Sequence, residues 1–229
     1  PLRTGPDLVP RLADAEALIT AKTRAIVLVT PNNPGGVEYP AELLTAFYDL
    51  AKAHGIALIV DETYRDFDSR PSPAHDLFSQ ADWGAHFIHL YSFSKAYRLT
   101  GHRVGALIAG AERLSQVEKF LDTVTICPNQ LGQRAALWGI ENLRDWLAGE
   151  RAEILSRRAA IEAGFDPLDG WRVLGAGAYF AYVEHPYAEE AEALCTRMVG
   201  QIRIAFANID VDEISELFQR LSSLSGTRR

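Results

Sequence analysis

The segment HFIHLYSFSK, residues 86–95, runs from apolar residues of strand length straight into two serines and a lysine. A stretch that is apolar at successive positions, rather than at alternate ones, predicts a strand buried on both faces of a parallel sheet. Two other runs share this design, AIVLVT (25–30) and IALIVD (56–61). Between them, PAELLTAFYDLAKAHG sets Leu43, Leu44, Phe47, Leu50 and Ala51 at helical spacing, with Gly55 where a C-terminal cap belongs. Strand, helix and strand make a βαβ unit. A fourth run, VGALIAG (104–110), follows the lysine too closely for a helical crossover, which predicts an antiparallel neighbour.

Each of the first three strands leads into a polar motif: PNNPGG (31–36), DETY (61–64) and SFSK (92–95). In open α/β sheets the strand carboxyl ends form one edge, and ligands bind in the crevice there. Asn33, Asp61, Tyr64, Ser92, Ser94, Lys95 and, after the turn, Arg103 are therefore expected to converge. Taken singly, these motifs read as a common turn, a helix cap and a solvated lysine. Three of them at consecutive strand exits argue for a site. An amine able to form an imine, a carboxylate, a phenol, an amide, two hydroxyls and a guanidinium match the functional groups of pyridoxal 5'-phosphate one by one.

PNNPGG, DETY and SFSKAYRLTGHRVG resemble the class I/II aminotransferases of the fold type I pyridoxal-phosphate family, and the likeness runs to about Arg220. It implies an α/β, aspartate aminotransferase-like fold. Residues 1–141 would be part of the cofactor-binding large domain with its mostly parallel sheet, and 142–229 a bridging helix and a smaller α+β C-terminal domain. The resemblance makes Lys95 the lysine that holds the cofactor as an imine and then shuttles the proton in transamination. Asp61 is implied as the partner of the pyridine nitrogen, which it keeps protonated as an electron sink. Tyr64 and Asn33 resemble the pair on the ring's phenolate oxygen, and Ser92, Ser94 and Arg103 the phosphate ligands. Arg203, in IRIAFAN, matches the arginine that binds the substrate α-carboxylate, with Asn33 beside it. The family also implies a homodimer acting on an α-amino acid and a 2-oxo acid. One departure is Gly35-Gly36, where the family usually has Thr or Ser before the glycine, and it is expected to weaken a loop hydrogen bond at most. Another is the abrupt join at 197–201. The family places the rest of the large domain upstream, so the chain is expected to be part of a longer protein.

Composition fits this picture. The 229 residues are 48% apolar, enough for one large or two small cores. A net charge of −7 argues against a nucleic-acid or anionic-membrane surface, and no apolar run reaches the length of a membrane span. Cys127 and Cys195 lie in no metal or redox spacing, so a reducing cytoplasm is the expected compartment and no disulfide framework is expected. His86 and His89 are expected in one strand, facing opposite ways, and no histidine pair has metal-ligand spacing. Tyr48, Trp83 and Trp138 are expected in a core or an interface. Past residue 142, NLRDWLAGERAEILSRRAAIEAG reads as a long charged helix, followed by strands in WRVLGAGAYFAYVE, a helix in EEAEALCTRMV, a strand in QIRIAFAN and a closing helix in VDEISELFQRLSSL. Two alternatives stay open. One is another carbanion chemistry on the same scaffold, such as a decarboxylase, lyase or synthase; the other is an effector-binding domain of a transcription regulator.

Overall fold

The computed structural model describes residues 2–71, 73–187 and 201–222, with the side chains of 201–203 left out of the description. Two sheets organise them. The first has the order β1-β2-β3-β4, with β1 (Ala25–Val29), β2 (Ala57–Asp61) and β3 (Phe87–Ser92) parallel and β4 (Gly105–Ile108) antiparallel to β3. A short helix α1 (Leu12–Leu18) precedes β1, and α2 (Ala41–Ala53) makes the crossover to β2. Gly55 follows α2 at φ +63, the left-handed geometry that ends helices and that only glycine adopts at no cost. Between β3 and β4 the chain forms only a turn over Thr100–His102, and so returns antiparallel.

Register aligns the strand exits. Val29 pairs with Asp61, Asp61 with Leu90, and Ser92 with Gly105, which brings all three polar motifs to one edge. One face of the sheet packs Ile26, Leu28, Leu58, Val60 and Phe87 against Leu44 and Phe47 of α2. The expectation of strands buried on both faces fails. The opposite face carries Val27, Ile59 and Ile88 in one row, and Val27 is 60% exposed. His86 is also corrected: it closes the four-residue helix α3 (Trp83–His86), started by the Ala85 N–H donating to the Asp82 carbonyl, and does not open β3.

Two helices absent from the sequence reading follow β4, α4 (Ala111–Val124) and α5 (Gln130–Asn142), the latter capped by Asn129 accepting from the Leu131 and Gly132 amides. Both leave large apolar side chains in solvent, including Phe120, Leu131 and Trp138, whereas Tyr48 is fully buried and Trp83 packs at the margin of the first core. The long helix α6 (Arg144–Phe165) then leads to an antiparallel sheet in the order β5-β6-β7: β5 (Arg172–Gly177), β6 (Phe180–Glu184) and β7 (Gln201–Ala205). The closing helix α7 (Val211–Ser222) packs on α6. EEAEALCTRMV, with Cys195, lies outside the described residues; Cys127 is a free, exposed thiol. The second core gathers Ile154, Ile161, Phe165, Val183, Phe206 and Ile214, and it also buries Tyr64, Phe67 and Ala96 from the segments behind DETY and SFSK. Among the described residues, no helix is long and apolar enough to cross a membrane.

Candidate active site

Asp61 is the last residue of β2. Strand alternation points its carboxylate to the open face of the sheet, the same face as Leu90 and Ser92 of β3. The carboxylate is held by a local turn: Asp61 Oδ1 accepts from the Thr63 amide at 3.0 Å and from the Thr63 hydroxyl at 2.7 Å. One oxygen is thus engaged twice, and among the described residues no such bond holds the other. Thr63 was missed in the sequence, although an Asp followed two residues later by Thr is a pattern for such turns.

Lys95 begins the turn after β3, where its carbonyl accepts from the Arg98 amide at 3.0 Å and Arg98 takes φ +55. The lysine is half-buried, and its Nζ stands 6.0 Å from the centre of the Tyr64 ring. Tyr64 is 5% exposed. Next to them, Arg103 sits at φ +51 and donates through Nη1 to the Thr100 carbonyl at 2.9 Å and to Ser94 Oγ at 3.4 Å. Ser92 Oγ in turn accepts from the Ser94 amide at 3.2 Å. Two hydroxyls and a guanidinium therefore form one cluster, a donor set suited to a phosphate.

PNNPGG is folded by Asn32, whose side-chain oxygen accepts from the Gly35 amide at 3.0 Å while its carbonyl accepts from the Gly36 amide at 2.7 Å. Asn33 follows the exit of β1 with its side chain exposed. Gly35 and Gly36 do more than the expected loss of one loop hydrogen bond. Gly36 lies at φ +72, and a Cβ there would stand 2.5 Å from the Gly177 nitrogen, while a Cβ on Gly175 would stand 2.4 Å from the Gly35 oxygen. The loop meets β5 backbone to backbone, and side chains on either side would part them. Arg203 lies in β7 opposite Tyr182, with its side chain outside the described part.

Glu62 faces the other way from Asp61 and is only 2% exposed. Its Oε2 receives His75 Nε2 at 3.0 Å, and His89 Nε2 lies 2.8 Å away, off the axis of a straight hydrogen bond. His75 Nδ1 accepts from the Leu77 amide, which leaves Nε2–H as the donor to Glu62. Burial alone would raise the Glu62 pKa, but the hydrogen bonds and charges of the two imidazoles outweigh it and lower it from 4.5 to about 2. The histidines dismissed as metal ligands instead tie β3 and the loop at 75–77 to β2 behind the site. Among the described residues no cluster suits a metal ion. Replacing Glu62 by alanine is expected to cost about 1–3 kcal/mol in urea unfolding, because the buried His75 N–H loses its acceptor. Since the folded pKa is depressed, this contribution is present above pH 4.5 and fades as pH falls toward about 2.

The sequence model for aminotransferase class I and II matches residues 6–221. Alanine aminotransferase of Mycobacterium tuberculosis is 33% identical over 183 residues, 76% of this chain and 42% of the relative. Threonine-phosphate decarboxylase of a Sinorhizobium species is 35% identical over 181 residues, 79% of this chain and 51% of the relative. A mutant of Thermus thermophilus aspartate aminotransferase superposes with a TM-score of 0.86 at 24% identity, over 96% of this chain and 62% of that structure, and so shares the fold. The chain spans about half or less of the length of these curated relatives.

Proposed function

The chain belongs to the class I and II aminotransferases, and from that premise we propose that it serves as a pyridoxal-phosphate-dependent aminotransferase, moving an amino group between an α-amino acid and a 2-oxo acid. The observation that carries this is the register of the first sheet, which delivers Asp61, Tyr64, Lys95 and the Ser92–Ser94–Arg103 cluster to one edge. The donor set fits the cofactor: the serine–arginine cluster for its phosphate, the Asp61 carboxylate for its ring nitrogen, Tyr64 and Asn33 for its phenolic oxygen and Lys95 for its aldehyde. When bound, the cofactor supplies the electron sink for the pair left on the substrate α-carbon. Lys95 takes a proton from that carbon and returns one at the neighbouring position. Asp61, anchored by Thr63, would hold a negative charge against the ring nitrogen. The division into a cofactor-binding part, 1–141, and a bridging helix with small domain, 142–229, belongs to the same proposal and is supported by the two separate sheets. The paucity of cysteine supports a cytoplasmic setting.

The test is a screen of single amino acids against protein loaded with pyridoxal 5'-phosphate, following the bound-cofactor spectrum and the release of 2-oxo acid. The likeness to threonine-phosphate decarboxylase favours a second reading, loss of the carboxylate from the same carbon. Carbon dioxide release with no oxo acid would select it.

Two further expectations arise here. Arg203 should bind the substrate α-carboxylate, since β7 places it beside β6, whose first residue Phe180 touches Tyr64. Arg203→Ala should cost about 1.5–3 kcal/mol in kcat/KM for every amino acid and oxo acid, with little change for simple amines or in cofactor affinity. The protein should also be a homodimer, supported by the exposed Phe120, Leu131 and Trp138. Sedimentation that shows an active monomer would refute this.

A further inference from the structure

Resting on that functional reading, the geometry assigns Tyr179 to the active site as a positioning residue: through it, the β5–β6 hairpin of the small sheet grips the Tyr64 ring and holds the Tyr64 phenol in place. The hairpin turns through Ala178 and Tyr179, between the last residue of β5, Gly177, and the first of β6, Phe180. Its tip is clamped from two sides. On one side the glycine seam admits no side chain: a Cβ on Gly177 would lie 2.1 Å from the Gly36 oxygen, and one on Gly36 would lie 2.7 Å from the Phe180 oxygen. On the other side, the Phe206 amide at the end of β7 donates to the Tyr179 carbonyl at 3.0 Å.

Between these clamps Ala178 takes φ +50 while only 1% exposed. An alanine in the left-handed region is uncommon, and it persists where the surroundings over-determine the backbone. The conformation turns Tyr179 onto the motif DETY. Its ring centre lies 5.4 Å from that of Tyr64 at 67°, and 5.0 Å from that of Phe67. Phe180 meets Tyr64 as well, edge to face, at 5.4 Å and 79°. Two rings from the small sheet therefore fix the ring over which the Lys95 amine stands. Burial, then the nearby Tyr64 and Glu150, push the Tyr179 phenol up to about 12, against the opposing charge of Arg98 and with a smaller push from Asp66. It stays protonated across the working range.

The hairpin thus touches two of the three strand-exit motifs at once, PNNPGG through glycine backbone and DETY through aromatic rings. Sequence gave no sign of this, since GAYF is an ordinary strand-turn sequence until its partners, over a hundred residues away, are in place.

The test uses five proteins loaded with pyridoxal 5'-phosphate: the parent chain, Tyr179→Leu, Tyr179→Phe, Tyr64→Phe and the Tyr179→Leu/Tyr64→Phe double variant. The readouts are the pH midpoint of the bound cofactor's absorbance change and the cofactor dissociation constant from tryptophan quenching, with urea unfolding alongside. Tyr179→Leu should move the pH midpoint in the same direction as Tyr64→Phe, by about half a unit or more, and should add nothing once Tyr64 is already phenylalanine. Tyr179→Phe, which keeps the ring, should restore the parent midpoint. If Tyr179→Leu does not fold, Tyr179→Met is read by the same rule. Equal shifts in both Tyr64 backgrounds, or a shift in neither, would overturn the assignment, because a merely structural loss has no reason to depend on the Tyr64 hydroxyl. Failure of the parent chain to develop any bound-cofactor absorbance would overturn the proposed function, and the positioning role with it.

Discussion

Lys95→Ala should lose turnover by about four orders of magnitude or more, because one side chain is asked both to hold the cofactor covalently and to carry the proton at the substrate α-carbon. The position of the amine supports both roles. It is half-buried at the exit of β3 and stands 6.0 Å from the centre of the Tyr64 ring, with the Ser94–Arg103 pair in the same turn. The substitution leaves in place Ser92, Ser94 and Arg103, the groups proposed to hold the phosphate, so the variant should still bind pyridoxal 5'-phosphate, now reversibly. Borohydride treatment of the parent should fix the cofactor to the peptide that contains Lys95, and the alanine variant should release it on dialysis. A label on any other peptide, or an alanine variant with parental turnover, would refute the assignment.

The second large effect belongs to Asp61→Asn. In the parent, the Thr63 amide and hydroxyl both donate to Asp61 Oδ1, and on the proposed reading the other oxygen would face the ring nitrogen. Asparagine can keep both Thr63 bonds only by turning its oxygen toward them, and it then presents its NH2 to the ring. A donor in that place favours the unprotonated nitrogen and removes the charge that sustains the electron sink. Proton abstraction should slow about a thousandfold or more while cofactor affinity changes little. Asp61→Glu keeps the charge at a displaced position and should fall between the two. Equal single-turnover rates for the Asn and Glu variants would show that geometry, and not charge, is what Asp61 supplies.

Both predictions concern residues legible in the chain itself, and the reason is local. The strands β1, β2 and β3 appear as short apolar runs, α2 as a 3.6-residue stripe closed by Gly55, and the exits as turn formers at the ends of those runs. Parallel order followed from the crossover helix, and the antiparallel β4 from the shortness of its connection. Even where the local pattern was read too simply, the error is instructive. Val27 has the composition of a strand buried on both faces, but its exposure depends on what lies over it. His86 is one residue from a strand, yet the turn begun at Asp82 claims it for a helix. α4 has no buried residue among those described, so no packed core marks it out.

By itself, then, the chain determined the βαβ unit of β1, α2 and β2, the antiparallel return of β4, and the polar motifs at the strand exits. These follow from neighbours in sequence, where strand period and turn geometry act within a few residues. Tertiary structure alone decided which distant groups surround them: the Glu62 carboxylate between His75 and His89, the glycine seam between Gly36 and Gly177, and the Tyr179 ring against Tyr64. These join segments separated by more than a dozen residues, and the seam and the ring pair span more than a hundred. Burial, close backbone approach and ring geometry are properties of pairs in space, so they came into being only when distant segments were packed together, and for the seam and the ring pair only when the two sheets met.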